Sequence, residues 1–180
     1  LINCNIIGNG TISVDGNLIE VIISSTASIQ VDHIIVEDGK LDSHTDTLVL
    51  KILKLGGVGA PNYYSRIEGN SHFIVNDLLE LKIHGRYYGT GGISSNGNVI
   101  FGGAQNYGTI VFNNLENDTL TGNLTNAINA NITFNSNVTI DDISFNGSSG
   151  NVIVNGDIKF VKENSLFQTK NMNITGNFIV

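Results

Sequence analysis

The densest group of ionisable side chains lies in "VDHIIVEDGKLDSHTDT", at positions 31–47. Its five acids and two histidines are Asp32, His33, Glu37, Asp38, Asp42, His44 and Asp46. Such a set could hold a metal ion or supply a carboxylate pair for acid–base catalysis. The spacing matches no EF-hand or nonapeptide calcium loop, however, and "EDGK" is typical of a solvated turn between two strands. The pattern favours the turn, and we predict no metal ligands and no cofactor.

Two further catalytic arrangements are weakly supported. The four histidines, at positions 33, 44, 72 and 84, could in principle join a Ser-His-acid triad, but the chain has no Gly-x-Ser-x-Gly elbow. Asp141 and Asp142 are adjacent, so a strand would point them to opposite sides. Lys159 and Lys162 follow about one repeat later without an acid cluster. We predict no catalytic residues.

Two tyrosine pairs, each with an arginine close by, form the best candidate binding site. Tyr and Arg are over-represented among the side chains that dominate binding energy at interfaces. Amphipathic loops packing against the coils are the simpler explanation, and the pattern favours it. The candidate binding residues are Tyr63, Tyr64, Arg66, Arg86, Tyr87 and Tyr88.

Composition narrows the class of protein. The 180 residues carry a net charge of -7, and only 14% are charged, while 41% are hydrophobic. The nine Lys and Arg are scattered, so no basic stripe could replace the counterions of a nucleic acid. The single cysteine, Cys4, can form no intrachain disulfide. No apolar run reaches the ~18 residues of a membrane-spanning helix, so we expect no membrane insertion by this segment.

The surrounding elements are predicted to be strands. Apolar-x-apolar triplets such as Ile12-x-Val14 and Ile132-x-Phe134 recur between Gly, Asn and Asp, as expected for short strands and turns. The best helix candidate, "LVLKILKL" at 48–55, fits strand alternation about as well as a helical period.

The triplets recur at a nearly constant interval of roughly 20 residues in the C-terminal half, as in one coil of a stacked solenoid. This period predicts a single all-β domain, residues 1–180, folded as a parallel β-helix, with candidate loops at 56–72 and 84–98. Asn, about one residue in seven, suits left-handed corners and can form hydrogen-bonded ladders along the stack. The proposed inward columns are Ile110, Ile132, Val152 and Ile174; Leu120, Val138, Ile158 and Phe178; and Val99, Leu124, Ile143 and Leu166.

The segments "VIFGG", "GTIVFNN" and "LTGNLTNAINANITFNSNVTI" resemble passenger domains of bacterial autotransporters, closest in flavour to rickettsial outer-membrane surface antigens. The resemblance covers residues 97–180. It implies a right-handed parallel β-helix that is exported across the outer membrane to the cell surface. It also implies a virulence role in adhesion to host cells, and it carries over no catalytic residues.

The expected function is therefore non-enzymatic: a surface-exposed adhesin segment, whose partner is a host cell-surface protein or glycan. Three alternatives remain open. One is a β-helical polysaccharide-degrading enzyme, which should bring three or more acids and a basic residue together on adjacent coils. The second is a purely structural surface fibre or stalk, which could self-associate through its end coils. The third differs in fold: an antiparallel β-sandwich carbohydrate-binding module, which should have tighter turns and no period near ~20 residues, so the column spacing argues against it.

Overall fold

The computed structural model describes residues 5–57, 64–113, 119–126, 130–161 and 166–180. These residues form an all-β solenoid of about 7 turns, with parallel sheets and 70% strand, which confirms the predicted parallel β-helix. Its strands are β1 (Asn5–Ile7), β2 (Thr11–Ile23), β3 (Ser28–Gln30), β4 (His33–Ser43), β5 (Thr47–Leu55), β6 (Ser65–Gly69), β7 (His72–Lys82), β8 (Gly85–Tyr87), β9 (Ile93–Ser95), β10 (Asn98–Gly102), β11 (Ala104–Asn106), β12 (Thr109–Phe112), β13 (Thr119–Asn126), β14 (Asn131–Phe134), β15 (Val138–Val154), β16 (Ile158–Phe160), β17 (Leu166–Ile174) and β18 (Phe178–Ile179).

Each coil contributes to three sheet faces. Face 1 stacks the first part of β5 and of β7 on β9, β12, β14 and the ends of β15 and β17. Face 2 includes the first part of β2 and of β4, the last part of β5 and of β7, and β10. Face 3 stacks the ends of β2 and β4 on β6, β8, β11 and β13. All these neighbours are parallel, so every coil sits directly on the one before.

Several strands run across a corner of the solenoid. In β4, His33–Val36 lies on face 2 and Lys40–Ser43 lies on face 3. The corner falls at Gly39, whose φ of 127° is rarely adopted by a residue with a Cβ. The sequence predicted an "EDGK" turn between two strands, but these four residues lie within one continuous strand that bends at Gly39 to pass from face 2 to face 3.

Inward and outward side chains alternate along each strand. In β12 and β14, Ile110, Phe112, Ile132 and Phe134 are buried, while the residues between them are only partly so. The Phe112 and Phe134 rings stack in the core with centroids 5.1 Å apart. Each coil therefore buries its apolar side against its neighbours rather than alone.

The predicted columns are partly correct. Ile110, Ile132 and Val152 pair in register, but the next partner is Met172 and not Ile174, because the last coil is shorter than the prediction assumed. Val138, Ile158 and Phe178 pair as predicted, whereas Leu120 pairs with Ile140.

The third column is wrong. Val99 pairs with Leu79 on face 2, whereas Leu124 pairs with Phe145 on face 3. Ile143 and Leu166 pair with Gly122 and Ser144, so the four positions share no column.

The two segments predicted as loops contain regular strands. Within 56–72 lies β6, and within 84–98 lie β8 and β9, each paired in parallel with neighbouring coils. Residues 58–63 are outside the described residues. The repeat was hard to see here because the coils differ in length: Leu48 pairs with Phe73 across a long interval of sequence, but Ile93 pairs with Ile110 across a much shorter one.

A ladder of asparagines follows the corner after face 1. Asn96 donates to Asn76, Asn113 to Asn96, Asn135 to Asn113 and Asn155 to Asn135, at 2.8–2.9 Å. A shorter ladder links Asn131, Asn151 and Asn171. These bonds confirm the predicted ladders.

No described asparagine has a left-handed backbone, so the predicted left-handed corners are not seen in this part of the chain. Among the described residues, the one non-glycine residue with positive φ is His84, at 64°. The ladder asparagines therefore serve the stack through their side chains and not through an unusual backbone.

Candidate functional site

The most distinctive surface is an aromatic cluster on face 3, which we define as Tyr64, His84, Arg86, Tyr88 and Tyr107. The parallel register places Arg86 beside Arg66 on one coil and beside Gln105 on the next. The backbone N–H of Tyr88 donates a hydrogen bond to the carbonyl of Ile67, and that of Tyr107 donates to the carbonyl of Tyr87. These hydrogen bonds continue the alignment of the coils beyond the strand ends. Three successive coils thus bring the cluster together.

Tyr88 and Tyr107 stack on each other. Their ring centroids are 4.3 Å apart and the planes differ by 15°. The Tyr107 hydroxyl donates to Oε1 of Gln105 at 3.0 Å, which fixes its ring, and 37% of the residue is exposed. The stack therefore presents ring edges and a hydroxyl to a ligand.

Arg86 lies over the ring of Tyr64, with its Cζ 3.2 Å from the centroid. His84 meets the same ring edge-on at 6.0 Å. The buried Nε of Arg86 has no hydrogen-bond partner among the described residues, and no described carboxylate forms an ion pair with its guanidinium. Four lysines behave differently, since each is paired with an acid: Lys40, Lys51, Lys54 and Lys82.

Neighbouring groups in the cluster influence the pKa of Tyr107. Burial, followed by the nearby Tyr88 hydroxyl, raises the pKa of Tyr107 above its ordinary value, and the charge of Arg86 opposes that rise. The Tyr107 hydroxyl is therefore protonated at neutral pH, and it offers a ligand a neutral hydrogen-bonding group rather than a phenolate.

A buried tyrosine supports the cluster from inside. Tyr87 is 1% exposed, and burial raises the pKa of its hydroxyl. A Cβ on Gly89 would lie 2.6 Å from this ring, and one on Gly108 would lie 2.7 Å from it. The two glycines, which follow Tyr88 and Tyr107 in the sequence, thus let the backbone close around Tyr87.

The six predicted binding residues have different fates. Tyr64, Arg86 and Tyr88 come together, and Tyr63 lies outside the described residues. Arg66 is exposed on β6, one coil before Arg86, and is not part of the ring contacts. Tyr87 points into the core, because neighbouring strand residues face opposite sides. Tyr107 was missed, although it lies just one coil beyond Tyr88.

The acid-rich stretch builds a second charged group on face 3. Lys40 Nζ lies 2.9 Å from Glu20, 3.1 Å from Glu68 and 3.5 Å from Asp42. His44 Nε2 lies 2.9 Å from Asp42. Within the described part of the chain, no group of three or more His, Cys, Asp or Glu is arranged to hold a metal ion.

The other histidines join neighbouring coils. His33 Nδ1 lies 3.1 Å from the Thr11 hydroxyl, and His72 Nε2 lies 2.9 Å from the Ser94 hydroxyl. These contacts agree with a structural role. Asp141 and Asp142 lie in β15, and Lys159 is an exposed residue of β16. Cys4 and Lys162 lie outside the described residues.

The fold and the site define this protein as a three-faced parallel β-solenoid with an aromatic cluster on its outer surface. No protein-family model matches the chain, and no curated protein or solved structure matches it. No helix in the described ranges is long and apolar enough to cross a membrane.

Proposed function

We propose that this chain is a surface-displayed segment of an autotransporter-type passenger, which binds a host-cell ligand through the aromatic cluster. The observation that carries the proposal is the cluster itself, with its two stacked tyrosines and an arginine that has no acid partner among the described residues. The resemblance of residues 97–180 to passenger domains supplies the proposed cell-surface location.

The solenoid suits this role mechanically. Parallel backbone bonds and the asparagine ladders join each coil to the next, so a ligand pulling on one face loads many bonds at once. Arg86 of the aromatic cluster lies within β8, and the other four residues each lie immediately next to the end of a paired strand. Little conformational entropy is lost when it binds, which favours affinity.

A polysaccharide-degrading enzyme is the second candidate, because one specific observation favours it. Glu20, Asp42 and Glu68 come from three adjacent coils and meet at Lys40. A lyase of this kind needs a base to remove a proton from the sugar. The hydrogen bond with Glu20, followed by the hydrogen bond and charge of Glu68, raises the pKa of Lys40 well above 10.5, although burial opposes the rise. Lys40 is therefore protonated at neutral pH and would have to lose that proton before it could act as the base, so we rank the enzyme second.

The test is binding of the soluble 180-residue chain to host cells. The test variant is Tyr64→Ala/Tyr88→Ala/Tyr107→Ala, which removes three rings from face 3. The matched control is Val49→Thr/Val111→Thr/Ile153→Thr, which changes three outward residues on face 1. We expect saturable binding by the parent chain and the control, and about tenfold or greater loss in the tyrosine variant.

Circular dichroism and thermal unfolding of each variant check that the solenoid persists. Absence of cell binding by the parent chain would overturn the proposal and favour a purely structural stalk. Shortening of an added polysaccharide would favour the enzyme. Equal binding by both triple variants would show that the binding site is not the aromatic cluster on face 3.

A further inference from the structure

We propose that the ligand of the aromatic cluster is a carboxylate-bearing saccharide, with Arg86 as the contact for its carboxylate. This inference rests on the proposed function, since it names the chemistry of the host-cell ligand. Three features support it: an unmatched cation, a set of ring surfaces beside it, and the size of the site.

The unmatched cation is Arg86. It is partly buried, it lies against the Tyr64 ring, and it forms no ion pair with a described carboxylate. Taking a charge partly out of water is costly unless an anion or several hydrogen bonds compensate. The planar guanidinium presents parallel N–H donors that fit the two oxygens of a carboxylate. A bound carboxylate would therefore supply the anion that the described residues do not provide.

The neighbouring groups favour a sugar as the carrier of that carboxylate. Tyr64, Tyr88 and Tyr107 offer apolar ring edges next to polar hydroxyls, the combination that suits a molecule with both C–H groups and hydroxyls. Gln105 and the Tyr107 hydroxyl already form a hydrogen-bonded pair at the rim, 3.0 Å apart. Both groups retain hydrogen-bonding capacity for sugar hydroxyls.

The size and charge of the site favour a short acidic oligosaccharide over a polyanion. The cluster spans three coils, or roughly 10 Å at the usual strand spacing. Arg86 is the one arginine in the cluster, and Arg66, which also forms no ion pair with a described residue, lies one coil before it in the same column. The neighbouring column on the same face contains the acids Asp42 and Glu68. The chain's net charge of -7 would repel a dense polyanion such as a nucleic acid.

The experiment compares acidic saccharides with neutral counterparts by isothermal titration calorimetry. The probes are 3′-sialyllactose against lactose, and an oligogalacturonate against its carboxyl-reduced form. We expect the chain to bind at least one acidic member and to bind its neutral counterpart about tenfold more weakly or worse, as for the loss of a charged hydrogen-bond pair. Affinity should fall as salt rises.

Arg86→Gln is the main variant and Arg66→Gln is its matched control. Both remove one positive charge from the same outward column, one coil apart, but only Arg86 contacts the rings. We expect about tenfold or greater loss of acidic-saccharide affinity in Arg86→Gln and less than threefold in Arg66→Gln. Arg86→Lys keeps the charge but not the fork, so its affinity should fall between those of Arg86→Gln and the parent. It also tests the site should Arg86→Gln fold poorly.

The failures can be separated from one another. Equal affinity for acidic and neutral saccharides, or equal losses in Arg66→Gln and Arg86→Gln, would overturn the role of Arg86. Host-cell binding without binding to any of these saccharides would overturn the saccharide inference and leave the proposed function standing. Absence of host-cell binding by the parent chain would overturn the proposed function itself.

Discussion

At the scale of single residues, side-chain direction decides which groups can do chemistry. Tyr87 and Tyr88 are neighbours of the same type, yet one fills the core and the other faces solvent. The outward partner of Tyr88 is Tyr107, which is distant in sequence and next in the stack. The direction of each side chain therefore decides which residues reach the surface, and the stacking of coils brings those residues together.

One glycine shows how tightly neighbouring coils approach each other. Gly69 has a φ of 95°, and a Cβ there would overlap the carbonyl oxygen of Ser43. That oxygen accepts the backbone N–H groups of Asn70 and Ser71, at 3.0 and 3.1 Å. The contact fixes the corner after β6, immediately before the next coil begins.

We predict that Gly69→Ala lowers the free energy of unfolding by about 2–4 kcal/mol, because it adds backbone strain to a steric overlap. Urea denaturation followed by circular dichroism measures the change. Gly10→Ala is the control, since a Cβ at Gly10 meets nothing within 4 Å. A Gly69→Ala chain as stable as the Gly10→Ala chain would contradict this account.

At the scale of elements, the corners matter as much as the strands. The long asparagine ladder connects five coils at the turn from face 1 to face 2, and each interior rung both donates and accepts. One exposed hydrogen bond between two asparagine side chains contributes little to stability. A continuous series of them, however, keeps the corners of neighbouring coils aligned.

We predict that Asn113→Ala lowers the free energy of unfolding by about 1–2 kcal/mol, because it removes two hydrogen bonds at ~0.5–1.5 kcal/mol each. Thermal unfolding monitored by circular dichroism tests this. The control is Asn173→Ala, since Asn173 is exposed and its side chain forms no hydrogen bond with another described residue. Equal losses in the two variants would show that the ladder adds nothing beyond an ordinary surface asparagine.

The sequence reveals these elements unevenly, for a physical reason. Strand alternation depends on adjacent residues, so inward positions such as Ile110 and Phe112 can be predicted directly. A column requires a constant residue count per coil, which holds between Val138 and Phe178 but not between Leu48 and Ile110. Tyr64, Arg86 and Tyr88 were predicted from their residue types alone. Tyr107 was not predicted, because the cluster lies where the coils differ in length and no constant spacing links Tyr107 to Tyr88.

At the scale of the whole molecule, each coil contacts chiefly the coils before and after it. Asn131 pairs with Asn151, and Asn151 pairs with Asn171, so these successive coils have equal lengths. Stability is then close to a sum over coils and their interfaces.

We predict that deleting residues 131–150 leaves a folded solenoid, because Asn151 then follows residue 130 in the position that Asn131 held. Circular dichroism should retain the β spectrum, with a moderately lower Tm. Deleting only residues 131–140 is the control, since it moves every later strand onto the wrong face and should abolish cooperative unfolding. Equal behaviour of the two deletions would show that register between coils does not govern folding.

Because successive coils pair in a constant register, the number of coils in such a solenoid can change during evolution without disturbing the rest of the structure. An insertion or loss of one coil changes the height of the molecule by about 4.8 Å and leaves every remaining pair intact. Tandem duplication of a single-coil unit can therefore lengthen the solenoid without altering Tyr64, Arg86 or Tyr107. Reach and recognition can evolve separately, one by counting coils and the other by changing a few outward side chains.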